Sequence, residues 1–177
     1  MLAPSNPQLD QGPTRLCGPF CIEAVQDAAG RHVGAREIYE QIKGEPFAAP
    51  GFPCTFPELQ QGIRIAARMG RCDLDWWDGD GGISSPDVVE EAARLGFAVI
   101  IGVWMGDLLA DQDYFHYLLI QTIEGNGDDT SVIVIDSYAR EDGGRERYSW
   151  KEVAQGMIDN WTGPEGLDAV GYRLCPR

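Results

Sequence analysis

The pattern of the chain changes at Gly96. Before it, apolar residues recur at helical spacing; after it, they come in short β-branched runs. Phe97 to Trp104 (F-A-V-I-I-G-V-W) is almost wholly apolar, as a buried strand requires. Such a strand needs neighbours on both sides, and the downstream sequence supplies them. His116 to Glu124 and Thr130 to Asp136 read as two strands joined by the turn-rich segment E-G-N-G-D-D. Arg145 to Tyr148 and Ala169 to Leu174 read as two more. Helices first and antiparallel strands second, with no repeat or linker, predict one α+β domain over residues 1–177.

The helical part is punctuated by its own stop and start signals. Phe20, Ile22, Ala24, Val25, Ala28 and Ala29 follow Cys17-Gly18-Pro19 and end at Gly30. Ala35 to Lys43 sets Ile38, Tyr39 and Ile42 on one face, and Gly44 stops it. Thr55-x-x-Glu58 is a capping box that opens a helix through Met69, with Ile63, Ile65, Ala66 and Met69 as its buried positions. Cys72 to Trp77 reads as a short strand. Ser85-Pro86 opens a fourth helix with Val88, Val89, Ala92, Ala93 and Leu95 apolar, and Ser149-x-x-Glu152 a fifth to about Asn160. Residues 44–57 hold four prolines and two glycines, so this connector is irregular. It is placed either to cover a cleft or to pack on the core. Phe47, Phe52, Phe56, Trp76 and Trp77 carry the same two readings, with core the commoner.

Composition removes several function classes. A formal charge of −14 argues against nucleic acid and anionic membrane surfaces as partners. Five cysteines without regular spacing do not make a disulfide framework, and two histidines do not complete a zinc site. Met1-Leu-Ala-Pro-Ser-Asn-Pro has neither a basic nor an apolar signal region, and no run suits a bilayer. A reducing cytoplasm is the expected compartment, with export by a signal-independent route left open.

Cys17 sits where a loop becomes a helix. Unsatisfied N–H groups and the positive end of the helix dipole favour a thiolate at such a place. Gln11 lies upstream at a distance that suits an oxyanion donor. His116, at a strand entrance, has the placement of a general base. In a simple hairpin centred on Asn126 it directly faces Asp136, which would orient it, and a bulge in the loop would shift this pairing by one residue. The other histidine, His32, falls in a short connector and reads as an exposed loop residue. Cys21 lies inside the helix and is disfavoured as nucleophile; Cys54 and Cys72 read as structural thiols. Asp78 and Asp80 match a calcium loop only weakly, because the downstream ligands are missing.

With Q-x5-C-G-P-x-C, H-Y-L-L-I and V-I-V-I-D in this order, the chain resembles the papain-like cysteine peptidases. It is most like the double-glycine (bacteriocin-leader) peptidases and their stand-alone relatives. The resemblance implies N-terminal helices packed on a C-terminal antiparallel sheet, nucleophile Cys17, base His116, orienting Asp136 and oxyanion-hole Gln11. It implies cleavage of a peptide or protein substrate without metal or organic cofactor. Transporter and immunity partners stay unassigned. Those leader peptidases are usually joined to a membrane transporter, and their aspartate is often followed by proline, whereas Ser137-Tyr138 stands here. The same fold also hosts amidases, deamidases, acyltransferases and bacterial toxins or effectors. A non-catalytic peptide-binding module is the alternative from a different class.

Overall fold

The computed structural model describes residues 16–48, 54–79, 81–110, 114–137, 145–159 and 167–177. In chain order the elements are α1 (Cys17–Ala28), α2 (Ala35–Lys43), α3 (Phe56–Met69), β1 (Cys72–Trp76) and α4 (Pro86–Arg94). Then follow β2 (Ala98–Trp104), β3 (Phe115–Glu124), β4 (Ser131–Ile135), β5 (Arg145–Ser149), α5 (Trp150–Asp159) and β6 (Ala169–Pro176). Among the described residues, the five helices and six strands form an α+β architecture around one antiparallel sheet of order β1-β6-β2-β3-β4-β5.

The apolar run at 97–104 becomes β2, near the middle of this sheet, and it is buried on both faces. Ala98 and Ile100 join Tyr117, Leu119 and Ile135 in a core with Ile22 and Val25 of α1, Ile38 of α2 and Ile63 of α3. Val99, Ile101 and Val103 join Leu118, Ile120 and Val134 in a second core with Val89 and Ala92 of α4 and Val153 and Met157 of α5. The expectation of N-terminal helices on a sheet therefore describes one face only. α4 and α5 cover the other, because a strand apolar at both parities needs a cover on each side.

The local signals act as their chemistry demands. The Thr55 hydroxyl accepts from the Glu58 N–H, and the Glu58 carboxylate accepts from the Thr55 N–H at 2.8 Å. Ser149 and Glu152 make the same reciprocal pair where β5 turns into α5. The Ser85 hydroxyl caps α4. Leu95, the last of the apolar positions read for this helix, is 58% exposed. It is the C-cap of α4, beyond the last helical residue, so helical periodicity no longer sets its direction. Among the described residues, no helix is long and apolar enough to cross a membrane.

The three N-terminal helices meet at Gly62, in the middle of α3. A Cβ there would lie 2.8 Å from Ile42 Cδ1 and 3.0 Å from Ile22 Cδ1. Only glycine lets α3 approach this closely. At the same junction Lys43 Nζ donates to Glu58 Oε1 at 2.6 Å, tying the end of α2 to the start of α3. Gly62→Val should overpack the junction and lower the unfolding free energy by about 1–3 kcal/mol, read by urea denaturation. An unchanged midpoint would show that α2 moves aside without loss.

Candidate active site

His116 is the second residue of β3, and Asp136 follows the last residue of β4. The His116 Nε2–H donates to Asp136 Oδ1 at 2.8 Å, with the two residues only 1% and 4% exposed. They do not face each other directly, as a hairpin centred on Asn126 would have it. Glu124 pairs with Ser131, so the turn occupies the residues between and its centre lies beyond Asn126. Thr122 faces Ile133 but Ile120 faces Val134, so Gln121 is an extra residue, a β-bulge. Beyond it Leu119 faces Ile135, and continuing that register sets Asp136 beside Leu118. His116 is two residues away, a diagonal neighbour on the same face. Had the register of the turn continued unbroken, Asp136 would stand opposite Leu119, whose side chain serves the other core. The bulge thus brings acid and base together.

Cys17 is the first residue of α1. Leu16, the N-cap, has no polar side chain to cap the helix, and Pro19 contributes no N–H. The amides left at the helix mouth are those of Cys17 and Gly18. Two features hold this mouth against β3. A Cβ on Gly18 would lie 3.1 Å from Leu59 Cδ1 and 3.3 Å from Tyr117 Cδ2, so a larger residue would push α1 off its neighbours. One turn on, the Cys21 thiol donates to the Tyr117 carbonyl across 3.6 Å. Burial, with the charges of Cys17 and Asp136 adding to it, pushes the Cys21 thiol well up. It is a protonated donor inside the core, unlike a nucleophile.

The Cys17 side chain is hydrogen-bonded to His116. Since Nε2 is occupied by Asp136, the ring nitrogen facing Cys17 is Nδ1. Burial works against a charged imidazole here. The hydrogen bond to Asp136, the hydrogen bond to Cys17 and the charges of both outweigh it, and together push His116 up to about 9. The Tyr114 ring stands edge-on to the imidazole at 5.9 Å. A thiol, an imidazole and a carboxylate so linked can pass a proton from sulfur to nitrogen and hold the imidazolium that results.

Gln11, the fourth expected member, lies outside the described residues. His32 is exposed beside Asp27. Asp78 occupies a turn with φ of 48°, and Asp80 lies outside the described residues. Among the described residues, no group of three or more His, Cys, Asp or Glu is placed to hold a metal. Cys54 and Cys72 are buried. Burial drives the Cys54 thiol up to about 12, against the pull of Lys43 and helped by Glu58 and Cys17. Phe47, Trp76 and Trp77 pack edge-on or tilted against Tyr39, Tyr172 and Phe97, so they belong to the core. Phe52 lies outside the described residues.

Phe56 does line a cleft. The start of α3, the end of β2 and the first residues of β3 enclose a cavity of about 470 Å³ that reaches Tyr117, next to His116. Trp104, Phe115, Tyr117, Asp159 and Asp168 also line it, and sequence reasoning assigned none of them to a site. The one usable signal was adjacency, since Phe115 and Tyr117 flank His116. The chain matches no protein-family model and no curated protein sequence.

The state of His116 has a measurable consequence. Its folded value lies above the ordinary 6.5, so the stability it contributes is fully present below pH 6.5 and lost as pH rises toward 9. The urea midpoint should decline across that window, and the imidazole Hε1 resonance should titrate near its upper end. In Asp136→Asn the titration should move down and the decline should flatten. A midpoint near 6.5 in the native protein would contradict the hydrogen-bonded arrangement.

Proposed function

We propose that this chain is a cysteine peptidase of papain-like fold. The observation that carries the reading is the hydrogen-bonded line Cys17–His116–Asp136 at one end of the sheet, with the thiol at a helix N-terminus. Cys17 gives its proton to His116 Nδ1, and its sulfur attacks the carbonyl carbon of a peptide bond. The oxyanion that forms is held by the Cys17 N–H and, as the sequence resemblance implies, by the carboxamide of Gln11. His116 then returns the proton to the departing amine as the C–N bond breaks. Water, deprotonated by the same imidazole, cleaves the thioester and restores the thiol. Asp136 keeps the ring oriented and supports its charge. No step requires a metal or an organic cofactor.

The test is alkylation by a limiting amount of a peptide-like thiol reagent at pH 6, followed by intact mass and peptide mapping. Fast single labelling should map to Cys17 and vanish in Cys17→Ala. His116→Ala should slow it about 10²-fold or more, the usual weight of a catalytic base. Cys21→Ala should label at the unaltered position. Slow labelling spread over several cysteines, indifferent to His116→Ala, would overturn the reading and leave a binding module.

A further inference from the structure

Cys17 acts electrostatically on Tyr117 and Cys54, two residues that line a cavity whose chemistry is specific. Its walls are aromatic: Phe56 from α3, Trp104 from the end of β2, and Phe115 and Tyr117 from β3. Its charged groups are carboxylates, Asp159 at the end of α5 and Asp168 just before β6; Thr55 adds a hydroxyl residue, and no basic side chain is among the described lining residues. At about 470 Å³ it falls within the range of sites that take small ligands or single side chains.

The Tyr117 hydroxyl is a second, independent feature. The residue is 1% exposed, and its hydroxyl has no hydrogen-bond partner among the described residues. Burial first, then the charges of Asp168 and of Cys17 and Cys54, hold the phenol protonated well above its usual range. Asp168 and Cys54 both line the cavity, and their charges reach the hydroxyl, so it lies close behind the cavity wall. A buried hydroxyl without a partner is unfavourable unless something polar arrives to meet it. Close by, Asp159 hydrogen-bonds the Asp107 carboxyl, and burial with the Asp159 charge pushes Asp107 up. Two acids pressed together beside an aromatic pocket make a place of negative potential, where an incoming cation relieves repulsion.

We propose that this cavity receives a lysine or arginine side chain of the substrate, from a residue adjoining the bond that Cys17 attacks. The proposal rests on the peptidase reading and names its substrate class. The aliphatic stem lies against Phe56, Phe115 and Trp104, and the cationic head meets the aromatic faces and the Asp159 carboxylate, with the Tyr117 hydroxyl close behind the wall. The charge of −14 on the whole chain draws basic peptides toward the same site.

The experiment uses dipeptidyl acyloxymethyl ketones carrying lysine, leucine or glutamate at either of the two positions before the electrophile, with glycine at the other. The rate of Cys17 modification is read by intact mass. At one of the two positions the lysine probe should react at least about tenfold faster than the glutamate probe. Asp159→Asn and Tyr117→Phe should each reduce that ratio, which is insensitive to a general loss of thiol reactivity. Equal rates for the three probes, or a lysine preference untouched by both substitutions, would overturn the basic pocket while leaving the peptidase intact. Failure of every probe to modify Cys17, with His116→Ala without effect on a small alkylating agent, would overturn the peptidase reading and this proposal with it.

Discussion

The burial of β2 and β3 on both faces is the constraint from which the architecture follows. A strand whose two parities are both apolar cannot leave either side to water, so each face of the sheet must be covered. α1, α2 and α3 supply one cover, and α4 and α5 the other. With both faces taken, the places left for a polar site are the edges and the ends of the sheet. The end where β3 begins and β4 finishes is where α1 also starts, and there Cys17, His116 and Asp136 meet.

A buried imidazole and carboxylate would each be unfavourable alone; as a hydrogen-bonded pair they support one another. Their geometry depends on contacts that are chemically silent. The Gln121 bulge selects the face on which Asp136 emerges. Gly18 and Cys21 set the distance between α1 and β3 from the helix side, through the ring and the carbonyl of Tyr117. Tyr117 therefore serves twice. Its backbone and ring seat the helix that presents Cys17, and the residue also lines the adjoining cavity. The thiols divide by the same physics: Cys21 and Cys54 are pushed up by burial and stay protonated, whereas Cys17 is the one joined to the imidazole.

Much of the fold was legible because its signals are local. Thr55 with Glu58, Ser85 with Pro86 and Ser149 with Glu152 mark helix starts through side-chain-to-backbone hydrogen bonds that span three residues. Cys17 at a helix start and His116 at a strand entrance could be read for the same reason. The second cover of the sheet, the exposure of Leu95 and which one of the described candidate aromatics, Phe56, lines the cavity could not. Each depends on what lies across the interior, and periodicity reports only that a side chain is apolar.

The sequence by itself determined the elements, their order, and the residue types able to carry thiol chemistry. Those properties are set by backbone propensity, capping and side-chain pKa, all of which act within a few residues. The tertiary structure alone decided that Asp136 lies diagonally across from His116 through a one-residue bulge. It alone assembled a cavity from side chains of α3, β2, β3, α5 and the approach to β6. Register and cavities arise where distant segments pack, and the energy that selects them is shared among residues far apart in the chain.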